Sequence, residues 1–164
     1  MRQKGKFNGI VASQRVGFTI IELVVVIAII SVLAVVAIPM VETSVKRERE
    51  LILRRSLREI RSAIDDYNDF VIKNKIKFDK DTYGYPEKLE VLVKGLEYRD
   101  SKNKERIKKF LRRIPNDPMT GSSEWGLRSY QDKPTSTHWG GENVWDIYTK
   151  SEKKALDGSY YKKW

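Results

Sequence analysis

Between Phe18 and Val41 the chain carries one charged side chain, Glu22, in a run otherwise dominated by Val, Ile, Leu and Ala. As a helix this run spans about 36 Å, enough for a hydrocarbon core of about 30 Å. No other feature limits the fold so strongly. A helix apolar on every side needs lipid or other apolar helices around it. A secretory signal accounts for it poorly, because its apolar region is about 7–15 residues long and ends at a small-x-small cleavage site. This run is longer, lacks that site at its far edge and continues into a helical pattern.

The flank sets an orientation. Arg2, Lys4, Lys6 and Arg15 precede Gly17 with no acid among them, and such a leader stays in the cytoplasm while the residues beyond the span face outward. The formal charge of +10 comes from 32 basic and 22 acidic residues. A product beginning at Phe18 carries about +6 on its side chains. The excess reads as a topogenic leader plus a solvated charged helix, and no nucleic-acid partner is expected. With no cysteine in the chain, a disulfide framework and a thiolate metal site are both excluded.

Pro39 lacks an N–H and crowds the carbonyl one turn back, so a bend inside a long helix is expected there, not its end. Farther on, Leu53, Leu57, Ile60, Ile64, Tyr67 and Val71 recur every three or four residues. That spacing draws one apolar stripe along a helix. A single helix is expected from about Phe18 to about Lys73, its first half facing lipid or sister helices and its second half packing on a domain.

Gly84 and Pro86 punctuate the polar connector after it. Pro86 is expected to open a short helix containing Leu89, Val91, Leu92 and Val93. The spacing of Ile107, Phe110 and Leu111 predicts a second short helix over Lys102 to Arg113. Two prolines make a turn of Ile114 to Gly121. Aromatic and β-branched residues predict strands over Trp125 to Asp132 and Asn143 to Lys150, the second covered on both faces. "GSYYKKW" is a last strand or a docked tail. The class is α+β, with an antiparallel sheet against the long helix.

Two stretches carry a resemblance. "GFTIIEL" (Gly17 to Leu23) resembles the class III signal of type IV pilins and type II secretion pseudopilins, and Pro39 matches a proline of that family. The resemblance implies that a membrane-embedded prepilin peptidase cuts after Gly17 and methylates the new terminus, Phe18. It makes Glu22 the family's glutamate just inside the mature chain, paired in a fibre with a neighbour's free amine. More loosely, "RRIPNDPMTG", Gly140–Gly141 and "DIYT" (Asp146 to Thr149) resemble the major pseudopilins. The implied organisation is a cleaved leader over 1–17, a transmembrane and polymerisation helix over 18–41, and a periplasmic globular domain over 42–164. The implied fold is pilin-like: a long N-terminal helix on a small antiparallel sheet, with short helices between.

The function so implied is a structural subunit of the secretion pseudopilus. Its partners would be further copies of itself, the peptidase, minor pseudopilins, and an inner-membrane platform with its ATPase. The chain would sit in the bacterial inner membrane before assembly and in a periplasmic fibre after it. A type IV pilin for adhesion, motility or DNA uptake is the alternative, against which the absent cysteines count. A single-pass periplasmic binding or sensory module is a third reading, which predicts indifference to Glu22. Major pseudopilins often hold calcium in the loop after the "DIYT" strand. Glu152 and Asp157 are the candidates here, among five lysines from Lys150 onward and without a second downstream acid.

No enzymatic motif is present, and no enzyme is expected. His138 is a lone loop histidine. Asp65, Asp66 and Asp69 read as surface groups. Trp125, Trp139, Trp145 and Trp164 read as core and tail anchors.

Overall fold

The computed structural model describes residues 17–100 and 103–164, the side chains at 36 and 39 excepted. The leader up to Val16 lies outside the described residues, as do the start of the second expected helix and the ring of Pro39. The chain divides into two compact units, Met1–Val41 and Glu42–Trp164.

In the first unit the described residues form the opening of α1 (Ile20–Lys73), which runs on through position 39. Among the described residues it is the one helix long and apolar enough to cross a membrane. Its large side chains are exposed on every side, Ile20 at 84 %, Ile30 at 59 % and Val35 at 74 %.

In the second unit the same helix is one-sided. Leu53, Leu57, Ile60, Ile64, Tyr67 and Val71 are all buried, joined by Ala63. The stripe packs with Leu89, Leu92, Leu111, Trp125, Val144, Ile147, Ala155 and Tyr161 in one core. Lys75, in the left-handed conformation, ends the helix; its N–H donates to the Ile72 carbonyl and that of Ile76 to Val71. These two hydrogen bonds satisfy two of the last free carbonyls, and Ile76 packs back on the core.

A 3-10 turn (Lys80–Thr82) and a short helix α2 (Glu90–Lys94) come next. Pro86 lies before α2 and is buried, so it packs instead of opening the helix. Among the described residues the second expected helix is absent. Its place is taken by an antiparallel hairpin of β1 (Leu96–Arg99) and β2 (Glu105–Lys108), in which Glu97 faces Ile107. Gly95 allows the close approach: at φ 97° it has no side chain, and a Cβ there would meet Ile107 Cγ2 at 2.6 Å and the Lys108 carbonyl at 2.9 Å. Ile107 is exposed at 60 %, whereas Leu111 enters the core. Both Phe110 and Leu111 donate their N–H to the Leu92 carbonyl.

The two expected strands exist but are shorter. β3 (Gly126–Arg128) pairs antiparallel with β4 (Asp146–Tyr148), with Leu127 opposite Ile147. Gly126 is needed where the Tyr148 ring crosses it, since any Cβ would collide with that ring. Thus two separate two-stranded sheets stand where one was expected. β4 is covered on both faces, with Ile147 and Tyr148 buried and Asp146 half-buried. "GSYYKKW" is a docked tail with a 3-10 turn (Tyr161–Lys163) and a single bridge from Tyr160 to Lys154. The architecture is a mixed α+β one: a long apolar N-terminal helix and a small antiparallel region.

Candidate functional site

Gly17, Phe18 and Thr19 precede the first turn of α1 in non-helical conformation. Thr19 caps the helix: its Oγ1 accepts the Glu22 N–H at 3.2 Å, and its carbonyl accepts the Leu23 N–H at 3.2 Å. Threonine at the cap with glutamate three residues on is the sequence of a capping box. The acid in the first turn also complements the positive end of the helix dipole. Local physics therefore places Glu22 in the first turn, at the head of the helix. Sequence reasoning missed this role, although T-x-x-E before an apolar run was the signal for it.

Capping does not account for Gly17. A Cβ added there meets nothing within 4 Å, and its backbone is not in the left-handed region. Neither packing nor conformation among the described residues asks for glycine. Phe18 is likewise unpacked, 83 % exposed. Gly17, Phe18 and Glu22 thus lie together at the exposed head of α1, with Pro39 farther along the same helix.

Glu152 and Asp157 do not converge on a cation. Glu152 faces Lys162 at 3.7 Å. Asp157 Oδ1 accepts Ser159 Oγ at 2.6 Å and Ser159 N–H at 2.8 Å, a tight turn that holds its carboxyl below the ordinary carboxylate range. Among the described residues no group of three acids or imidazoles comes together. Calcium needs six to eight oxygens, often with several carboxylates, and these two carboxylates are engaged by Lys162 and Ser159.

Other polar groups hold the second unit in shape, unforeseen from the sequence. Asp146 on β4 accepts Arg61 Nε at 2.7 Å and Arg128 Nη1 at 2.9 Å. Arg61 also reaches the Ile147 and Trp164 carbonyls, so one side chain of α1 ties strand and tail. Asp117, in the expected turn, is fully buried, accepting the Met119 N–H and the Thr149 hydroxyl. Asn143 organises the loop of Gly140–Gly141: its amide donates to the Asp81 carbonyl and Gln131, and its carbonyl accepts Trp139 Nε1 at 2.7 Å. His138 is exposed in that loop.

Two of the four tryptophans anchor as expected, Trp125 in the core and Trp164 against it, whereas Trp139 is exposed and Trp145 is half-buried outside the core. Trp125 is buried and donates to the Pro115 carbonyl. Trp164 meets Tyr161 edge-on at 5.1 Å under the Arg54 guanidinium, 4.0 Å away. Tyr161 donates to Glu50 at 2.8 Å, and burial with that carboxylate pushes its pKa up to about 12. An open groove along the hairpin is lined by Arg99, Glu105 and Arg106, whose charges engage one another and Asp100.

No protein-family model, no curated protein and no solved structure matches this chain.

Proposed function

We propose that this chain is a pilin-like structural subunit, a major pseudopilin of a type II secretion system. A prepilin peptidase cuts it after Gly17 and methylates Phe18. An inner-membrane platform and its ATPase then draw the mature chain into a periplasmic fibre that drives exoproteins through the outer membrane. The leader is cytoplasmic, residues 18–41 cross the inner membrane, and the domain over 42–164 is periplasmic.

One observation carries the reading. A glycine at which an added Cβ would meet nothing among the described residues stands directly before a capped helix whose described apolar side chains are exposed all round. A processing enzyme with a tight subsite requires that glycine, and a bundle of sister helices covers those side chains. The resemblance of "GFTIIEL" to the prepilin signal supports the same conclusion.

Glu22 then works between chains. A carboxylate in an apolar run costs up to about 3 kcal/mol and calls for a partner. Cutting after Gly17 frees an ammonium at Phe18, and the Glu22 of one subunit pairs with the amine of the next. That pairing fixes the axial register and offsets the loss of lipid contacts.

The test is a Gly17→Trp variant scored for leader removal and exoprotein release. Both should be lost. Release at the normal rate with the leader still attached contradicts the proposal. Glu22→Ala should still be cut but should assemble poorly; a normal fibre yield removes the pairing.

A further inference from the structure

Beyond the leader, the charge excess of this chain sits in one place. Residues 94–113 carry nine basic and three acidic side chains, a net of six, while the rest of 18–164 is balanced at nineteen against nineteen. That segment is the β1–β2 hairpin with its flanks. We propose that the outer edge of β2 is the docking surface for an extended acidic segment of another protein, which joins the hairpin as a third strand.

The register shows which backbone groups are open. Asp100 donates its N–H to the Lys104 carbonyl at 3.0 Å. Bonded and unbonded pairs alternate from there, so Tyr98 with Arg106 and Leu96 with Lys108 exchange the ladder bonds. Glu105 and Ile107 fall between them, and their N–H and carbonyl groups point away from β1. Among the described residues neither makes a backbone hydrogen bond elsewhere. All four residues of β2 are exposed, whereas Leu96 and Tyr98 of β1 are half-buried. The Tyr98 ring meets Phe70 of α1 edge-on at 4.9 Å. The hairpin is thus fastened through β1, and β2 is left with a row of unpaired donors and acceptors.

The side chains narrow the choice of occupant. Lys104, Lys108 and Lys109 are exposed, and among the described residues none has a carboxylate within 4.0 Å; Arg106 is held by Asp100 at 2.9 Å. A second copy of β2 brings the same charges and is repelled, which is how lysines guard an open edge. A strand bearing carboxylates is drawn in by those same lysines. Side chains along β2 alternate between faces, Arg106 and Lys108 on one, Glu105 and Ile107 on the other. Ile107 is apolar and 60 % exposed. The matching strand alternates too, with carboxylates beside the basic face and an apolar side chain beside Ile107. A phosphate backbone matches the charge only. It leaves Ile107 without an apolar neighbour and sets Glu97 and Glu105 against its own anions.

The probe is a fluorescent octapeptide of alternating glutamate and valine, titrated with the full chain in detergent and read by anisotropy. Saturable binding is expected, and Lys104→Glu with Lys108→Glu should weaken it about tenfold. Two further variants separate strand addition from attraction of charge, because each makes the surface more positive. Glu105→Pro removes one outward N–H without touching the ladder, and should weaken binding about fivefold. Ile107→Lys removes the apolar contact and should weaken it by a similar factor. Glu105→Ala keeps the N–H and should bind at least as well as the parent. Circular dichroism checks each fold; if Glu105→Pro unfolds the hairpin, Ile107→Lys decides alone. Unchanged or tighter binding by a folded Glu105→Pro or by Ile107→Lys overturns the proposal. Absence of saturable binding does so as well, and so does tighter binding of a polyphosphate of equal charge. Leader removal does not enter this binding, so its failure leaves the fibre reading as it stands.

Discussion

Ile27 and Ile60 belong to one helix, yet the first is 55 % exposed and the second not at all. The two units differ in where their apolar surface goes. In the second, a stripe of α1 meets α2, β4 and the tail, and polar side chains are tied to partners; no buried side-chain N or O among the described residues lacks one. In the first, the described apolar side chains are exposed all round the helix. The difference teaches that residues 42–164 carry a core of their own, whereas the apolar half of α1 is long and apolar enough to cross a membrane and has no such core among the described residues.

Substitutions can break that contrast. The largest effect on stability is expected from Asp146→Ala, which leaves the buried Arg128 guanidinium without its anion and leaves Arg61 tied to β4 by the Ile147 carbonyl alone. A loss of about 3–5 kcal/mol is expected, read by thermal unfolding of the full chain in detergent. A smaller loss would mean that Ser136 and the Tyr148 ring suffice for Arg128. Next, Ile64→Ala opens a cavity in the core and should cost about 2–5 kcal/mol. Ile27→Ala should change the same unfolding by less than about 0.5 kcal/mol. Equal effects would erase the distinction between the units.

An effect confined to high pH sharpens the picture of the docked tail. Tyrosine ordinarily ionises near 10.0, and Tyr161 does so at about 12 in the folded chain. Below pH 10 both states hold the proton and the stabilisation is complete. As pH rises toward 12 the unfolded chain loses its proton first, so stability must fall across that window. Tyr161→Phe should lack this part of the decline, measured by denaturant unfolding at a series of pH values. Parallel declines in both proteins would detach Glu50 from the account.

Much of this organisation was legible in the sequence, for reasons that differ by region. The stripe from Leu53 to Val71 was read correctly because a one-sided helix repeats its burial at helical spacing. The hairpin was misread because Ile107, Phe110 and Leu111 mimic that spacing over too few residues, among lysines and arginines that favour helix. What decided the matter was nonlocal: Gly95 admitting β2, and the Leu92 carbonyl binding two successive N–H groups. Burial of Asp117 and the clasp of Arg61, Asp146 and Arg128 could not be read, since each joins residues far apart in the chain. At the head of α1 the sequence singled out Gly17, Phe18 and Glu22 by resemblance, but the capping role of Thr19 was overlooked.

The central claim is that Gly17 exists to be cut after, leaving Phe18 as the working terminus. The most direct test is the intact mass of the protein taken from its native membrane, with fragmentation to locate the first residue. The account predicts a chain beginning at a methylated Phe18. A chain that keeps Met1 to Gly17 while secretion proceeds normally would contradict it.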